Sequence, residues 1–448
     1  MNCRAVLLSF LCTYLGYSSA PVLAANARFD DASLEQTNSL NVMDKSSPHL
    51  TVMHETPLFS AARSAKHFRV SLKQPHKVIS TSRINGGEQT DIRHIVNFQS
   101  MEGSNHTARF EEILSLSKHD YHQQLADSLH LPAESLASMG TAANISNLVH
   151  RHAEFKQLRV DVFVTAGVKA NALRSGDPAN WYQTADGNRK VEAKTQRAPK
   201  RTSATAPASF VDDYGTINII VLINHTLTSG ALVKAAAVIT EAKTAALNAL
   251  AIPSRQSQFL ATGTGTDQYA IAAPIDSKLT KLDSASGHLK LGELLGKSVR
   301  EAVAQAIELQ NGLSANATRN LMHALGRFGL DKDFMLSELK AQLDQQSYQL
   351  LADNVNSLMA DSSLVAAAYV YATLLDRAKF GTFHESVKLD ILLDYAAITA
   401  VAVSGNKSAW PNFRSQLSKT QQGQLSQEQA LELFLKALAV GWQAKWAS

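Results

Sequence analysis

A hydroxyl at the mouth of a rigid strand is well placed to act as a nucleophile. Gly215-Thr216 opens an almost unbroken apolar run, Ile217-Asn218-Ile219-Ile220-Val221-Leu222-Ile223. Threonine needs an adjacent base or amine for that task; it is also an ordinary strand residue, and both readings stay open. Further along, Ala261-Thr262-Gly263-Thr264-Gly265-Thr266-Asp267 alternates glycine and threonine ahead of a second strand. Glycines so spaced let several backbone N–H groups converge on one point, and the threonines add hydroxyls, which suits an anion or an oxyanion. The same residues could equally be a polar turn. The stretch is not a Walker loop, since no Gly-Lys-Ser/Thr follows a four-residue gap. Nor is it a dinucleotide loop, since a strand rather than a helix comes next.

Between these motifs, residues 228–250 have helical spacing. A step of about 100° per residue puts Leu232, Ala236, Ile239, Lys243, Leu247 and Leu250 on one stripe, with Lys234, Glu241, Thr244 and Asn248 opposite. Lys243 thus lies in an apolar stripe, where a bare ammonium is costly. It is paired, has a lowered pKa, faces a pocket, or snorkels to the helix edge. Glu241 falls on the face that suits solvent, or lines a cleft. Asn97, Asn144, Asn171 and Asn218 could orient an amide substrate, although asparagine more commonly satisfies nearby backbone. His94 and His288 stand isolated, and neither His-x₃-His nor HExxH occurs, so no metal site is expected.

The elements that must hold these residues follow from pattern. Residues 68–72, 78–81 and 94–98 read as strands, 111–129 as a helix, 158–165 as a strand, 215–224 as a strand buried on both faces, 268–273 as a strand and 289–309 as a long amphipathic helix. Thr228 reads as an N-cap. Residues 183–210, with Arg189, Lys190, Lys194, Arg197, Lys200 and Arg201 among small polar residues, read as an exposed basic loop. From 318 the chain turns helical, at 331–343, 346–359, 362–378, 386–402 and 427–445, with Gly381, Gly405, Pro411 and Gly423 in the connections. The expected fold class is α/β, a layered sheet-and-helix core of which α/β/β/α is one form, with an all-α C-terminal extension.

The chain has 448 residues, of which 45% are hydrophobic and 18% charged, as in globular proteins. A net charge of +4 and 7% aromatics argue against a nucleic-acid partner. Arg4, an apolar run from Ala5 to Leu15 and Val22-Leu23-Ala24 form a signal-peptide pattern, too short for a membrane span. Residues 1–24 are therefore expected to be cleaved on export to the periplasm, leaving no membrane span, and 25–66 to be a flexible linker. Cys3 and Cys12 both lie in the signal, so the processed chain would lack disulfides and thiol nucleophiles. A core domain at 67–317 and a helical extension at 318–448 complete the division. A homo-oligomeric state stays open.

Several stretches in fixed order carry a resemblance. They are Val164-Thr165-Ala166-Gly167-Val168 with Asn171-Ala172 and Gly176-Asp177-Pro178; Gly215-Thr216-Ile217-Asn218 with Leu227-Thr228; Thr240-Glu241-Ala242-Lys243; the 261–267 motif; and Gly287-His288 with Lys290-Leu291-Gly292-Glu293. Over about 68–310 the chain resembles the adenosylcobinamide amidohydrolase family of corrinoid salvage. The resemblance implies hydrolysis of the amide joining aminopropanol to the corrin ring, giving adenosylcobyric acid. The cobalt would arrive with the corrinoid substrate, and no further cofactor is required. The export signal and the 183–210 insertion depart from the family pattern and point to an altered corrinoid, such as an unadenosylated one.

On this reading Thr216 is the nucleophile and Lys243 tunes proton transfer or binds carboxamides. Backbone at Thr262, Gly263, Thr264, Gly265 and Thr266 holds the oxyanion, Asn218 and Asn171 orient the amide, and Asp267 holds Lys243. Asn97, Asn144, Glu241 and His288 complete the expected substrate contacts. A fainter likeness, to amidases that expose an N-terminal Thr or Ser in an α/β/β/α fold, would make Gly215-Thr216 a self-cleavage point. The rival functions are a periplasmic corrinoid-binding protein without catalysis, and a metal-dependent amidase using His94, His288 or a carboxylate.

Overall fold

The computed structural model describes residues 49–101, 116–179, 181–184, 187–191, 215–276, 278–419, 423 and 425–446. The expected signal segment lies outside them. Among the described residues two compact units divide the chain: one holds those within 49–191, 215–246 and 262–311, the other those within 247–261 and 312–446.

The first unit contains two mixed sheets. One has five strands in the order β1 (Thr51–Glu55), β2 (Phe59–Arg63), β3 (His67–Leu72), β6 (His94–Gln99), β7 (Leu136–Thr141). The other has six: β5 (Gly87–Gln89), β4 (His76–Ser80), β15 (Gln268–Pro274), β13 (Ile217–Ile223), β9 (Leu158–Ala166), β8 (Val149–Phe155). Each contains one parallel pair, β6 with β7 and β13 with β15, and each of those pairs spans a helical connection. Helix α1 (Lys118–Ser128) joins the first pair and α2 (Ser229–Ala249) the second, as parallel strands require.

Period-two alternation sorts side chains between layers. On β6, Ile95 joins Phe68, Val70, Met139, Phe163, Ile220 and Ala270 in a core drawn from both sheets, so the sheets pack face to face. Val96 and Phe98 point the other way, onto Leu125, Ala126 and Leu129 on and just after α1. Helix α3 (Lys290–Asn311) covers the far side of β8 and β9. The result is the expected layered α/β core in its α/β/β/α form. Every residue of β13 is buried, which explains its unbroken apolar run.

Two expectations are corrected. Residues 51–63 are not linker: β1 and β2 form a hairpin, turned where the Thr56 hydroxyl accepts from the N–H groups of Leu58 and Phe59. Its buried residues are Phe59 and small alanines, too weak a hydrophobic signal to show in the sequence. Residues 181–190 are not loop: β11 (Trp181–Thr184) pairs with β12 (Gly187–Lys190). Each of these strands has only four residues, too few for an alternation to show among the surrounding charges. The rest of the basic stretch, 192–210, lies outside the described residues. Two short strands, β10 (Ala172–Leu173) and β14 (Gly263–Thr264), pair with each other.

The second unit is helical: α4 (Leu321–Leu325), α5 (Lys332–Gln342), α6 (Gln345–Asp353), α7 (Val355–Met359), α8 (Ser362–Lys379), α9 (Glu385–Ser404), α10 (Trp410–Ser418) and α11 (Gln427–Trp446). It has its own core around Tyr371, Phe434 and Leu392. Helix α10 occupies a stretch expected as linker. Pro411 begins that helix rather than interrupting it, because the first turn needs no proline N–H. Among the described residues no helix is long and apolar enough to cross a membrane.

Candidate active site

The close-set residues at the start of β13 come from four separated stretches of chain. Gly215 passes Gly167 so tightly that a Cβ there would sit 2.3 Å from the Gly167 carbonyl carbon, so only glycine fits. This crossing places Thr216, 4% exposed, beside the 262–267 turn. The Thr216 hydroxyl donates to the Thr266 carbonyl at 2.6 Å, and the Thr266 hydroxyl lies 2.8 Å from Thr216 Oγ1. Asn171 Nδ2 donates to Thr266 Oγ1 at 2.9 Å and to the Gly215 carbonyl at 3.3 Å.

Lys243 reaches this cluster from α2, which Thr228 caps by accepting from Ala231 N–H at 3.1 Å. Its ammonium is ion-paired with Asp267, and the two side chains are only 12% and 15% exposed. Of the readings open for Lys243, the paired one holds. Gly263 makes room for this pair, because a Cβ there would lie 2.3 Å from Asp267 Oδ2 and 2.6 Å from Lys243 Nζ.

The glycine-spaced turn does cradle an anion, but that anion is its own Asp267. Thr264 N–H donates to Asp267 Oδ2 at 2.9 Å and Thr264 Oγ1 to Oδ1 at 2.5 Å, while Ile217 N–H reaches Oδ1 at 3.2 Å. Three more N–H groups of the turn are engaged too. Thr262 donates to the Leu173 carbonyl, Gly265 to the Asn171 carbonyl and Thr266 to Thr264 Oγ1. Asn171 Nδ2 already spends both its hydrogens on Thr266 Oγ1 and the Gly215 carbonyl, so the side-chain donor with hydrogens to turn toward a ligand is the Lys243 ammonium.

Asn218 and Asn97 stand one layer deeper. Asn218 Nδ2 donates to Asn97 Oδ1 at 2.9 Å and to the Gly140 carbonyl at 3.1 Å, and Asn97 Nδ2 donates to Thr165 Oγ1 at 2.8 Å. This buried amide chain crosses from one sheet to the other. Among the described residues, Asn218 Oδ1 has no hydrogen-bond partner. Three expected contacts are not brought to the cluster. Asn144 caps a short turn, accepting from Ser146 N–H at 2.8 Å. Glu241 is 70% exposed, with Lys234 as a distant partner at 3.9 Å. His288 is exposed in the turn before α3. Each lies where local turn chemistry or the polar helix face puts it.

A second cluster escaped sequence reasoning. His150 on β8 and Asp161 on β9 share a face, and His54 comes across from β1. The signal was the period-two spacing of His150 and His152 opposite Asp161 and Phe163 on a paired strand. Burial pushes the Asp161 carboxyl up, but hydrogen bonds from His150 and Arg159 and the Arg159 charge outweigh it and hold the carboxyl at about 2. Burial lowers the His54 pKa, with Asp161 opposing.

Face-packed mixed sheets between helices, with a Gly/Thr turn closed on a Lys–Asp pair, define a layered α/β domain. Residues 49–315 match the adenosylcobinamide amidohydrolase family, and the chain belongs to it. An uncharacterized protein of Methanocaldococcus jannaschii, MJ1613, is 35% identical over 193 residues, covering 43% of this chain and 70% of the relative. The crystal structure of the PH0078 protein from Pyrococcus horikoshii OT3 covers 57% of this chain and 82% of its own at 10% identity, with a TM-score of 0.23, and carries no argument here.

Proposed function

We propose that this protein hydrolyses the amide joining aminopropanol to the corrin ring of cobinamide or a related corrinoid, releasing the cobyric acid and the amine. Family membership over 49–315 supports the reaction class. The observation that carries the site is the convergence of Asn171, Gly215-Thr216, Lys243 and Thr264–Asp267. Thr216 Oγ1 attacks the amide carbonyl, its proton passes to the leaving amine, and water then hydrolyses the acyl ester. Lys243 meets the developing oxyanion, where one lost donor costs on the order of 3 kcal/mol, and Asn171 positions the Gly215 carbonyl and the Thr266 hydroxyl beside it. Asn218 Oδ1, an acceptor buried without a partner among the described residues, suits the substrate N–H.

In the intact chain the Thr216 proton goes to a carbonyl, which is not a base. Activation therefore falls to the Thr216 α-amine, freed when Thr216 Oγ1 attacks the Gly215 carbonyl, which accepts from Asn171, the C–N bond breaks to give an ester and that amine, and water hydrolyses the ester to leave Gly215 as a carboxylate. Intact-mass analysis checks this: a single uncut, active species rejects self-processing. The reaction requires no resident metal, and export, the expectation drawn from residues 1–24, would favour a corrinoid met before uptake. Incubating purified protein with cobinamide, with and without chelator, tests the proposal. Cobyric acid formed in both arms supports it; intact cobinamide recovered throughout makes the protein a corrinoid binder, and loss of product on chelation makes it a metal-dependent amidase.

A further inference from the structure

The geometry points to a divalent transition-metal site of the zinc type formed by His54 Nε2, His150 Nε2 and Asp161 Oδ1, open to a cavity between the sheets. Asp161 Oδ1 lies 2.9 Å from His150 Nε2 and 3.5 Å from His54 Nε2, and all three donor atoms fall within 4.8 Å of one another. With metal–ligand bonds of about 2.0–2.1 Å, tetrahedral ligands stand about 3.3 Å apart. The two separations from Asp161 bracket that value and the third lies within 4.8 Å, so an ion needs the two imidazoles to close on it by side-chain movement. Two imidazoles and one carboxylate form a donor set typical of zinc.

The ligands are also held in place. His150 stacks on Phe163 with ring centroids 4.3 Å apart and planes 10° from parallel. His54 packs on Phe59, centroids 5.7 Å apart. Arg159 Nε grips the far carboxylate oxygen, Asp161 Oδ2, at 2.7 Å, an outer contact that orients a ligand. A second Arg159 nitrogen, Nη2, lies 2.8 Å from Oδ1 and 3.5 Å from His54 Nε2, and these are the contacts an ion would replace. The guanidinium also keeps its bond to Glu154. Beside the triad opens a cavity of about 580 Å³ whose wall includes His54, Asp161, His76, Asp276 and Lys278. Three protein ligands plus an opening leave a coordination position for water or a small ligand.

Asp161 pairs with Leu222 on β13, six residues from Thr216. That is on the order of 20 Å at about 3.3 Å per residue, so this site stands apart from the threonine cluster and does not depend on its proposed chemistry.

The test is a Co²⁺ titration of untagged, metal-stripped full chain, followed by visible absorption and calorimetry, with Zn²⁺ as competitor. One saturating equivalent displaced by Zn²⁺ is expected. His54→Gln, His150→Ala and Asp161→Asn should each weaken it by more than the roughly 10–100-fold that loss of an outer partner costs. His94→Gln, outside the site, should not change it. Circular dichroism identifies any variant that fails to fold, and the wild-type titration decides in that case. Absence of a saturable equivalent, or binding that persists in all folded triad variants, overturns the proposal.

Discussion

Thr216 is held by two hydrogen bonds to one neighbour, Thr266, and by a glycine crossing on its N-terminal side. Thr216→Ala removes the proposed nucleophile without disturbing the Lys243–Asp267 pair. Turnover should fall by about 10³-fold or more while corrinoid affinity changes little; product formation against equilibrium binding checks this, and near-normal turnover removes Thr216 from the mechanism. Gly263→Ala acts by a different route. The added methyl would overlap both the Asp267 carboxylate and the Lys243 ammonium. Stability should drop by about 1–3 kcal/mol or more, read as a shift in urea midpoint. A variant as stable as wild type would mean that the turn has room the close contacts deny.

Strands decide what the amides can do. Asn97 on β6 and Asn218 on β13 meet because their strands belong to opposing sheets, and Thr165 on β9 completes the chain. Removing one member leaves its buried partners short of a hydrogen bond. Asn97→Ala should cost about 1–3 kcal/mol, and a double-mutant cycle with Asn218→Ala should show strong coupling in denaturation. Two inner strands also carry histidines that titrate, His67 on β3 and His94 on β6. Burial, helped by Lys66, lowers His67 to about 4; burial, helped by Arg69 and Arg93, does the same to His94. The unfolded chain binds these protons near pH 6.5 and the folded chain only near 4, so stability rises with pH across that window. Urea midpoints at about pH 5 should lie below those at about pH 7, and His67→Gln with His94→Gln should flatten the difference. A slope unchanged in the double variant would assign it to other groups.

Each unit carries a core of its own. In the helical one, Gly441 on α11 lets that helix approach Ala400 of α9, where a Cβ would sit 2.5 Å from its carbonyl oxygen. Arg327 forms a two-pronged pair with Asp376 at 2.6 Å per contact and also donates to the Gln258 carbonyl, with only 6% of its side chain exposed. Arg327→Ala leaves a carboxylate with no counter-charge in a sheltered place. It should destabilise the helical unit by about 3–5 kcal/mol, seen in calorimetry of the full chain. A transition unmoved by the substitution would show that solvent compensates for the lost pair.

Periodicity carried the long elements. The β13 run, α2 with Lys243 in its apolar stripe, α3 and most C-terminal helices are readable because one repeat extends over several turns or a full strand. The motif residues could be named for the same reason: a Gly/Thr alternation and a lysine among leucines are local departures from pattern. What local sequence does not contain is partnership. Whether the turn's N–H groups wait for a substrate or close on Asp267 depends on where that carboxylate folds back. The β1–β2 hairpin is invisible until Phe59 finds Phe163 on the other sheet. His54, His150 and Asp161 gather only because β1, β8 and β9 meet across the layer. Contacts between residues about a hundred positions apart are set by how the sheets pack, and no window of sequence encodes that packing.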